Sequence, residues 1–349
     1  MGKKTKVIII GNRKIGGLNP VLVQSMCNTD THDVSATVKQ IKALEKEGCE
    51  IVRVAVLDMA AAKVLGRIKK RINIPLVADI HFDYRLALEA IKQGVDKIRI
   101  NPGNIGGKAR LAAVVLAARK KGIPIRVGVN SGSLEQEILK RDNGHVTAKG
   151  LADSALRNTR LLEKMNFKDI AISIKSTDVP QTIEAYMLLS QKVDYPLHIG
   201  ITEAGPVFTG TIKSAVGLGS LLASGIGDTI RVSLTADPVE EVRVAWEILK
   251  ALNLRKRGRE IISCPTCGRT QINLISLAKK VEKATKDIKK PIKIAVMGCA
   301  VNGPGEAREA DIGVAGGKGI GIIFRKGKII KTVKEKEILA SLLNEIKKL

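Results

Sequence analysis

Apolar and polar positions along the chain follow two patterns in turn, one typical of β-strands and one typical of amphipathic helices. Short runs rich in β-branched residues recur eight times, and a stretch with helical spacing of apolar residues follows each of them. The runs are Val21–Met26, Ile51–Val56, Leu76–Ile80, Lys97–Asn101, Ile125–Asn130, Ile170–Lys175, Leu197–Thr202 and Thr229–Leu234. This alternation predicts parallel strands joined by right-handed crossovers. Eight such units in about 250 residues favour a closed (β/α)8 TIM barrel over an open sheet.

The stretches between the runs place their apolar residues on one helical face. The strongest of these predicted helices are Val34–Glu47, Ala60–Arg71, Leu151–Met165 and Pro238–Leu252. Ahead of the first run, Thr5–Gly17 is predicted to form a hairpin that closes the bottom of the barrel. We therefore predict that residues 1–253 form one α/β barrel domain.

The strand–helix alternation of apolar positions ends at a charged stretch that follows Leu252. The pattern there predicts a strand, a helix, a second strand, three short β runs with a Lys326-Gly327 turn, and a final helix. The ranges outside the three β runs are Ile261–Ser263, Gln271–Lys286, Ile292–Met297 and Glu335–Lys348. Residues 254–349 are therefore predicted to form a small α+β domain.

The 349 residues carry a formal net charge of +25. Nucleic-acid binding is disfavoured, because aromatic residues make up only 2% and no DNA- or RNA-binding motif is recognisable. Two interpretations remain open: a solvated lysine-rich surface, or a field that attracts an acidic protein or an anionic substrate. No apolar run reaches the roughly 18 residues of a membrane span, and no secretory signal is recognisable. We expect a cytoplasmic protein that binds neither membranes nor nucleic acid.

Five of the eight predicted strands carry a cation within an apolar run: Arg53, Arg99, Arg126, Lys175 and Arg231. The outer face of a barrel strand packs against apolar helices, where an unpaired charge would cost several kcal/mol. We therefore expect these side chains to point inward, near the strand ends at which barrel enzymes bind substrates. Cations that converge repel one another unless anions lie among them, and arginine suits phosphate oxygens, so a diphosphate ligand is predicted. The alternative for any one cation is an ion pair with Asp79 or Glu203.

Polar side chains with acid–base or hydrogen-bonding chemistry also follow strand ends. Glu203 comes directly after the seventh run, Asp79 and His81 end the third, and Asn101 and Asn130 end the fourth and fifth. A carboxylic acid in a closed site can donate a proton, which makes Glu203 the candidate general acid. A capping or ion-paired carboxylate is the alternative for Glu203, and a structural histidine is the alternative for His81.

Three of the five cysteines fall in the predicted second domain: Cys264, Cys267 and Cys299. Thiolates select zinc, copper(I) or iron–sulfur clusters. A structural zinc site needs a fourth cysteine or histidine, and no histidine occurs after His198. Three thiolates in tight loops after two strands favour an iron–sulfur cluster, with a degenerate zinc ribbon as the alternative. Cys27 and Cys49 are interpreted as core residues.

Seven segments together carry a family resemblance. They are Val-Gln-Ser-Met (23–26), Val-Ala-Asp-Ile-His-Phe (77–82), Arg-Ile-Asn-Pro-Gly-Asn (99–104), Gly-Val-Asn-Ser-Gly-Ser-Leu (128–134), Ile-Thr-Glu-Ala-Gly (201–205), Ser-Cys-Pro-Thr-Cys-Gly-Arg (263–269) and Met-Gly-Cys-Ala-Val-Asn-Gly-Pro-Gly-Glu (297–306). They resemble the IspG (GcpE) family of 4-hydroxy-3-methylbut-2-enyl diphosphate synthases, in its two-domain bacterial form. The resemblance spans nearly the whole chain, although Cys27 stands where the family often has threonine.

The resemblance implies an oxidoreductase of the non-mevalonate isoprenoid pathway. It implies reductive ring opening of 2-C-methyl-D-erythritol 2,4-cyclodiphosphate, driven by reduced ferredoxin or flavodoxin. It also implies a [4Fe-4S] cluster on Cys264, Cys267, Cys299 and Glu306, with Asn302 beside it. The diphosphate would be held by the five strand cations and Ser233, and Glu203 would donate the proton. Independently of the resemblance, a Schiff-base aldolase that uses Lys175 on a phosphorylated substrate is the alternative enzyme.

The link between the two predicted domains bears on assembly. The last barrel helix is predicted to end near Leu252 at the bottom face, whereas the substrate cations are predicted at the top. The 11 residues from Asn253 to Ser263 reach at most about 36–40 Å, and they must pass around the barrel wall. We therefore expect a head-to-tail homodimer in which each small domain serves the partner's barrel.

Overall fold

The computed structural model describes residues 4–300, 305 and 307–349. The chain divides into two compact units, Met1–Arg255 and Lys256–Leu349. The roles predicted for residues 1–253 and 254–349, diphosphate binding and cluster binding, stay predictions at this stage.

Eight parallel strands of the first unit form one sheet. A bridge between Ile172 and Leu197 joins its two edges, so the sheet closes on itself. In sheet order, the strands are β8 (Ile170–Lys175), β7 (Ile125–Asn130), β6 (Lys97–Ile100), β5 (Leu76–Ile80), β4 (Ile51–Val56), β3 (Leu22–Met26), β10 (Thr229–Ile230) and β9 (His198–Ile199). The predicted TIM-barrel fold is confirmed.

The seventh and eighth strands are shorter than the sequence pattern predicts. The predicted ranges Leu197–Thr202 and Thr229–Leu234 were wrong at their C-terminal ends, because β9 ends at Ile199 and β10 ends at Ile230. At Gly200 the two backbones come so close that a Cβ atom would lie 2.6 Å from the carbonyl oxygen of Arg231. Only glycine allows this approach, and the regular ladder ends there.

Tyr186 stabilises the sparse junction between β8 and β9. Its hydroxyl accepts a hydrogen bond from the backbone N–H of Ile174 and lies 2.6 Å from the carbonyl oxygen of His198. The side chain is fully buried. A buried hydroxyl needs hydrogen-bond partners, and the two strands that Tyr186 joins supply them.

Helices cover the outer face of the barrel. Several begin at an aspartate whose side chain accepts a hydrogen bond from the first turn, as Asp33, Asp58 and Asp178 do. The helices are α1 (Val34–Glu47), α2 (Met59–Lys69), α3 (Tyr84–Lys92), α4 (Lys108–Lys121), α5 (Gln136–Arg141), α6 (Ala148–Glu163), α7 (Val179–Ser190), α8 (Val207–Ala223) and α9 (Pro238–Ala251). Among the residues described, no helix has the length and apolarity to cross a membrane.

A hairpin closes the bottom of the barrel, within the segment predicted for it. Its strands, β1 (Ile8–Ile10) and β2 (Arg13–Ile15), are antiparallel. Three isoleucines of the hairpin, Ile8, Ile10 and Ile15, face the inside of the barrel. They pack on apolar residues from the N-terminal halves of the barrel strands, namely Leu22, Ile51, Val77 and Ala171. Polar side chains inside the barrel therefore lie above an apolar floor.

In the described residues, the second unit contains a five-stranded sheet that packs with helices. Its strands, in sheet order, are β11 (Arg259–Ser263), β12 (Ile292–Met297), β13 (Ile312–Gly317), β14 (Ile320–Arg325) and β15 (Lys328–Lys334). The first three are parallel, so their C-terminal ends meet at one edge of the sheet. Helices α10 (Leu274–Ala284) and α11 (Ile338–Ile346) contribute to the core of this unit.

Candidate functional site

Arginines from three strands of the sheet converge inside the barrel. Arg99, on β6, is the cross-strand neighbour of both Asp79 on β5 and Arg126 on β7, and Arg53 lies on β4, on the other side of β5. Arg53, Arg99 and Arg126 are 2%, 3% and 0% exposed. The predicted inward orientation brings these guanidinium groups together in a region with very little water.

Asp79 neutralises part of this charge. Its carboxylate lies 3.5 Å from Arg53 Nε and 3.1 Å from Arg99 Nη1. Burial alone would raise the pKa of Asp79, but the positive charges of Arg53 and Arg99 hold it well below its usual range. The ion-pair alternative with Asp79 thus applies to Arg53 and Arg99, and Asp79 stays ionised.

Arg99 is held from several sides. Its Nη1 donates to His81 Nε2 at 2.9 Å, and its Nη2 donates to Asn130 Oδ1 at 3.2 Å. A Cβ atom on Gly128 would lie 2.2 Å from Arg99 Nε, so only glycine leaves room for this guanidinium. His81 and Asn130 therefore position an arginine. Asn101 instead caps the turn after β6 by accepting from Gly103 N.

Arg231 has a carboxylate partner that the sequence did not predict. Its Nη2 donates to Oε1 of Glu241, on α9, at 3.1 Å. The same carboxylate also accepts from the hydroxyl of Ser25 and from the backbone N–H of Leu234. Glu241 is 3% exposed, and it therefore fixes both Arg231 and the loop after β10.

Arg126 and Lys175 are the least compensated cations. None of the three guanidinium nitrogens of Arg126 has a hydrogen-bond partner in the described part of the chain. Burial, followed by Arg53 and Arg99, lowers the pKa of Arg126 well below its usual range. Burial and the surrounding arginines, Arg53 first, act in the same direction on the pKa of Lys175. An anionic ligand would supply the charge that these two groups lack.

Glu203 lies in a turn after β9 and is exposed. Its backbone φ is +50°, in the left-handed region that residues other than glycine seldom adopt. Strain of this kind clusters at functional sites. Ser233, in the loop after β10, is half-buried.

The cysteines of the second unit follow adjacent parallel strands. Cys264 comes directly after β11, and Cys299 comes two residues after β12. Ser263 pairs with Val296, so both cysteines reach the same edge of the sheet. Cys267 is exposed, and its backbone N–H donates to Thr270 Oγ1 at 3.2 Å.

The surroundings of Cys264 suit a thiolate. The backbone N–H of Gly298 donates to Cys264 Sγ at 3.2 Å, an interaction that stabilises a sulfur anion. A Cβ atom on Gly316 would lie 2.8 Å from the Gly298 carbonyl oxygen, so the loop after β12 lies close against β13. Glu306 and Asn302, which the resemblance places at the cluster, lie outside the described residues. Within the described ranges, no three His, Cys, Asp or Glu side chains are grouped closely enough to hold one metal ion.

Sequence reasoning missed two charged residues of the barrel. Glu241 looks like a helix-capping carboxylate, because it falls in the first turn of α9. Lys97 begins β6, where a lysine is typical of a solvated strand end, yet it is fully buried. The spacing of Lys97 and Arg99 could have indicated that Lys97 points into the barrel, since residues two apart on a strand share a face.

Comparisons with known proteins agree over the whole chain. Residues 5–246 match the profile of the GcpE TIM-barrel domain, and residues 260–348 match the GcpE protein C-terminal domain. A relative from Caldanaerobacter subterraneus is 65% identical, with 100% of this chain and 98% of that protein covered. One from Geobacter sulfurreducens is 58% identical, with 100% and 99% covered. Both are named 4-hydroxy-3-methylbut-2-en-1-yl diphosphate synthase (flavodoxin).

A solved structure supports the barrel fold. Dihydropteroate synthase from Stenotrophomonas maltophilia superimposes with a TM-score of 0.51 at 12% identity, covering 71% of this chain and 98% of that one. At this identity the likeness concerns the fold alone.

Replacing Glu241 tests its place in the charge arrangement. In Glu241→Ala, Arg231 would keep a largely buried charge without its partner, and we expect a loss of about 3–5 kcal/mol of unfolding free energy. Glu240→Ala is the matched control, because Glu240 pairs only with Arg243 among the described residues and is 39% exposed; surface pairs contribute about 0–1 kcal/mol. Thermal or denaturant unfolding measures both. Equal losses in the two variants would contradict the assigned role of Glu241.

Proposed function

The chain belongs to the GcpE family, and we propose that it reductively opens the ring of 2-C-methyl-D-erythritol 2,4-cyclodiphosphate to give 4-hydroxy-3-methylbut-2-enyl diphosphate. The observation that carries the proposal is a full-length family match that coincides with two constellations in the structure. One is the set of cations inside the barrel, and the other is the set of cysteines at one sheet edge. The reaction consumes two electrons and releases a hydroxyl group as water.

The diphosphate is bound by the five strand cations together with Ser233. Arg126 and Lys175 have the greatest need of an anion, because Asp79 and Glu241 already partner the other three. Asp79, His81 and Asn130 keep Arg53 and Arg99 in place. Arginines held this way need little reorganisation when the ligand arrives. Family membership favours this assignment over the aldolase alternative for Lys175.

Glu203 is the proton donor to the departing oxygen. It follows a barrel strand at the end where substrates bind, and its backbone adopts a left-handed conformation of the kind that clusters at functional sites. A carboxylic acid supplies the proton that turns a departing hydroxyl into water.

The redox group is a [4Fe-4S] cluster, held by Cys264, Cys267, Cys299 and Glu306, with Asn302 beside it. When bound, such a cluster passes electrons one at a time. The Gly298 N–H that donates to Cys264 supports a thiolate at this position. A carboxylate is a harder and weaker iron ligand than a thiolate, so Glu306 would be the ligand most easily displaced.

A reduced flavodoxin is the electron donor, as the names of the relatives state for those proteins; ferredoxin is the other predicted donor. A groove of about 880 Å³ in the second unit is lined by three lysines and one carboxylate: Lys280, Lys334, Lys336 and Glu335. This excess of positive charge suits an acidic protein of this kind. Ile272, also in its lining, packs on Gly316 near the cysteine loops. The expected compartment is the cytoplasm.

The active form is a head-to-tail homodimer. Arg255 holds the exit of the barrel unit at the bottom face, where it donates to Glu50 and to the Val21 carbonyl at the N-terminal strand ends. Only eight residues lie between Arg255 and Cys264, so the nine steps from one Cα atom to the next reach at most about 30–32 Å. The 14-residue helix α9 alone spans about 21 Å. A site completed by the partner subunit avoids the path around the barrel wall.

Metal analysis of anaerobically purified protein tests the redox group. We expect about four irons and four sulfides per chain, and turnover of the cyclodiphosphate with dithionite as reductant. Cys267→Ser should lose most of the iron, whereas Cys27→Thr, in the barrel core, should keep it. One zinc per chain, or a full cluster in Cys267→Ser, would contradict the assignment.

Glu203→Gln tests the proton donor. The amide keeps the size of the side chain but has no acidic proton, so kcat should fall by roughly 10²–10⁴, while the cluster spectrum and substrate affinity stay near normal. Glu184→Gln, an exposed carboxylate on α7, should keep the wild-type rate. An unchanged kcat in Glu203→Gln would exclude this role.

Mixing two inactive variants tests the dimer. Glu203→Gln retains the cysteines, and Cys264→Ser retains an intact barrel. After subunit exchange, mixed dimers should regain up to about a quarter of wild-type activity, because half the dimers are mixed and each has one complete site. Mixed dimers that form and stay inactive would show that one chain supplies the whole site.

A further inference from the structure

A polar layer lies inside the barrel among and beneath the substrate arginines. Lys97 precedes Arg99 by two residues on β6, so both face the interior. Lys97 is fully buried, and in the described part of the chain its Nζ has no hydrogen-bond partner. The same holds for both amide atoms of Gln24, on β3, and for Nε2 of His198, on β9. Native proteins seldom bury unpartnered polar atoms, so this cluster calls for a physical reason.

The groups that face Lys97 are mostly cationic. Arg126 from β7 and Arg53 from β4 act on it directly. His198 on β9 lies in the field of Lys97, Arg126 and Lys175. The carboxylate of Asp79, on β5, is engaged by Arg53 and Arg99. The cross-strand neighbour of Lys97 is Val77, which belongs to the apolar floor. A protonated Lys97 would therefore be a buried charge, repelled by arginines and lacking a counterion.

We propose that Lys97 adjusts the charge of the substrate site: it is uncharged while the arginines carry no ligand, and it takes up one proton from solvent when a diphosphate binds to them. Lys97 is then a positioning residue, because it acts on the ligand through Arg126 and Arg53. The inference rests on the proposed function for the identity of the ligand.

The electrostatics give the sign of the effect. Burial, followed by Arg126 and Arg53, lowers the pKa of Lys97 well below its usual range. Phosphoryl groups on those arginines would cancel their repulsion, and the pKa of Lys97 would rise. Binding should therefore be coupled to proton uptake and should tighten as the pH falls between the free and bound pKa values.

In the protein without ligand, the same lowered pKa affects the pH dependence of folding stability. Lys97 is protonated in the unfolded chain and neutral in the folded one, so folding releases a proton. Between the lowered folded pKa and the ordinary lysine pKa, stability then rises with pH. Lys97→Met removes this proton release and keeps the volume of the side chain, so the variant should melt at a higher temperature than wild type at neutral pH.

The experiment is calorimetric titration of the oxidised holoenzyme with 2-C-methyl-D-erythritol 2,4-cyclodiphosphate, without reductant, in buffers of different ionisation enthalpy. Wild type should take up protons, and Lys97→Met should take up fewer, by as much as about one per site. The affinity of Lys97→Met for the cyclodiphosphate should fall by about tenfold, a typical strength of coupling between two binding events. Lys168→Met, an exposed lysine before β8, should match wild type in proton uptake, affinity and melting temperature.

Equal proton uptake by wild type and Lys97→Met would overturn the proposal. A Lys97→Met protein with a lower melting temperature and unchanged binding would also overturn it, since that result means a purely structural lysine. Should that variant fail to fold, the wild-type titration from pH 6 to pH 9 decides, and zero proton uptake throughout is the contrary result. If wild type does not bind the cyclodiphosphate, the proposed function fails. The number of protons taken up on binding of inorganic diphosphate, compared between wild type and Lys97→Met, then tests the role of Lys97 by itself.

Discussion

The interaction on which the site depends is repulsion among buried cations. Arg53, Arg99 and Arg126 are nearly or completely shielded from water inside one barrel. Each pair of like charges costs more there than at the surface, because the interior screens poorly. Two carboxylates offset part of this cost: Asp79 serves Arg53 and Arg99, and Glu241 serves Arg231. The residual positive charge is what makes the interior receptive to a diphosphate, so stability and binding oppose each other in the same residues.

The barrel tolerates this arrangement because its floor is apolar and its walls are tied together. The hairpin isoleucines pack on the N-terminal halves of the strands, where no charge is needed. Tyr186 joins β8 to β9, where the ladder is sparse. Inside the barrel, apolar packing therefore lies at the bottom and uncompensated charge lies nearer the top. TIM barrels in general separate the residues that stabilise the fold from those that carry activity in this way.

Local patterns predicted most of the fold but only part of the site. Val34–Glu47 was predicted with its observed bounds, because an aspartate cap and a glycine at the C-terminus mark both ends of α1. The ends of β9 and β10 were not predicted, since the close approach of Gly200 to Arg231 is a contact between segments distant in sequence. Glu241 and Lys97 were missed for a related reason: a charge at a helix start or a strand start looks solvated until closure of the barrel buries it.

Charge compensation also explains why the exit from the barrel is so well fixed. Arg255 donates to Glu50, whose carboxylate also accepts from Val23 N, and its guanidinium lies 4.8 Å from the centre of the Trp246 ring. Trp246 in turn donates to the carbonyl of Gly48, at the end of α1. This corner therefore joins α9, α1 and the start of β3 through a partly buried ion pair and an aromatic side chain. The chain therefore leaves the barrel unit from a firmly held point.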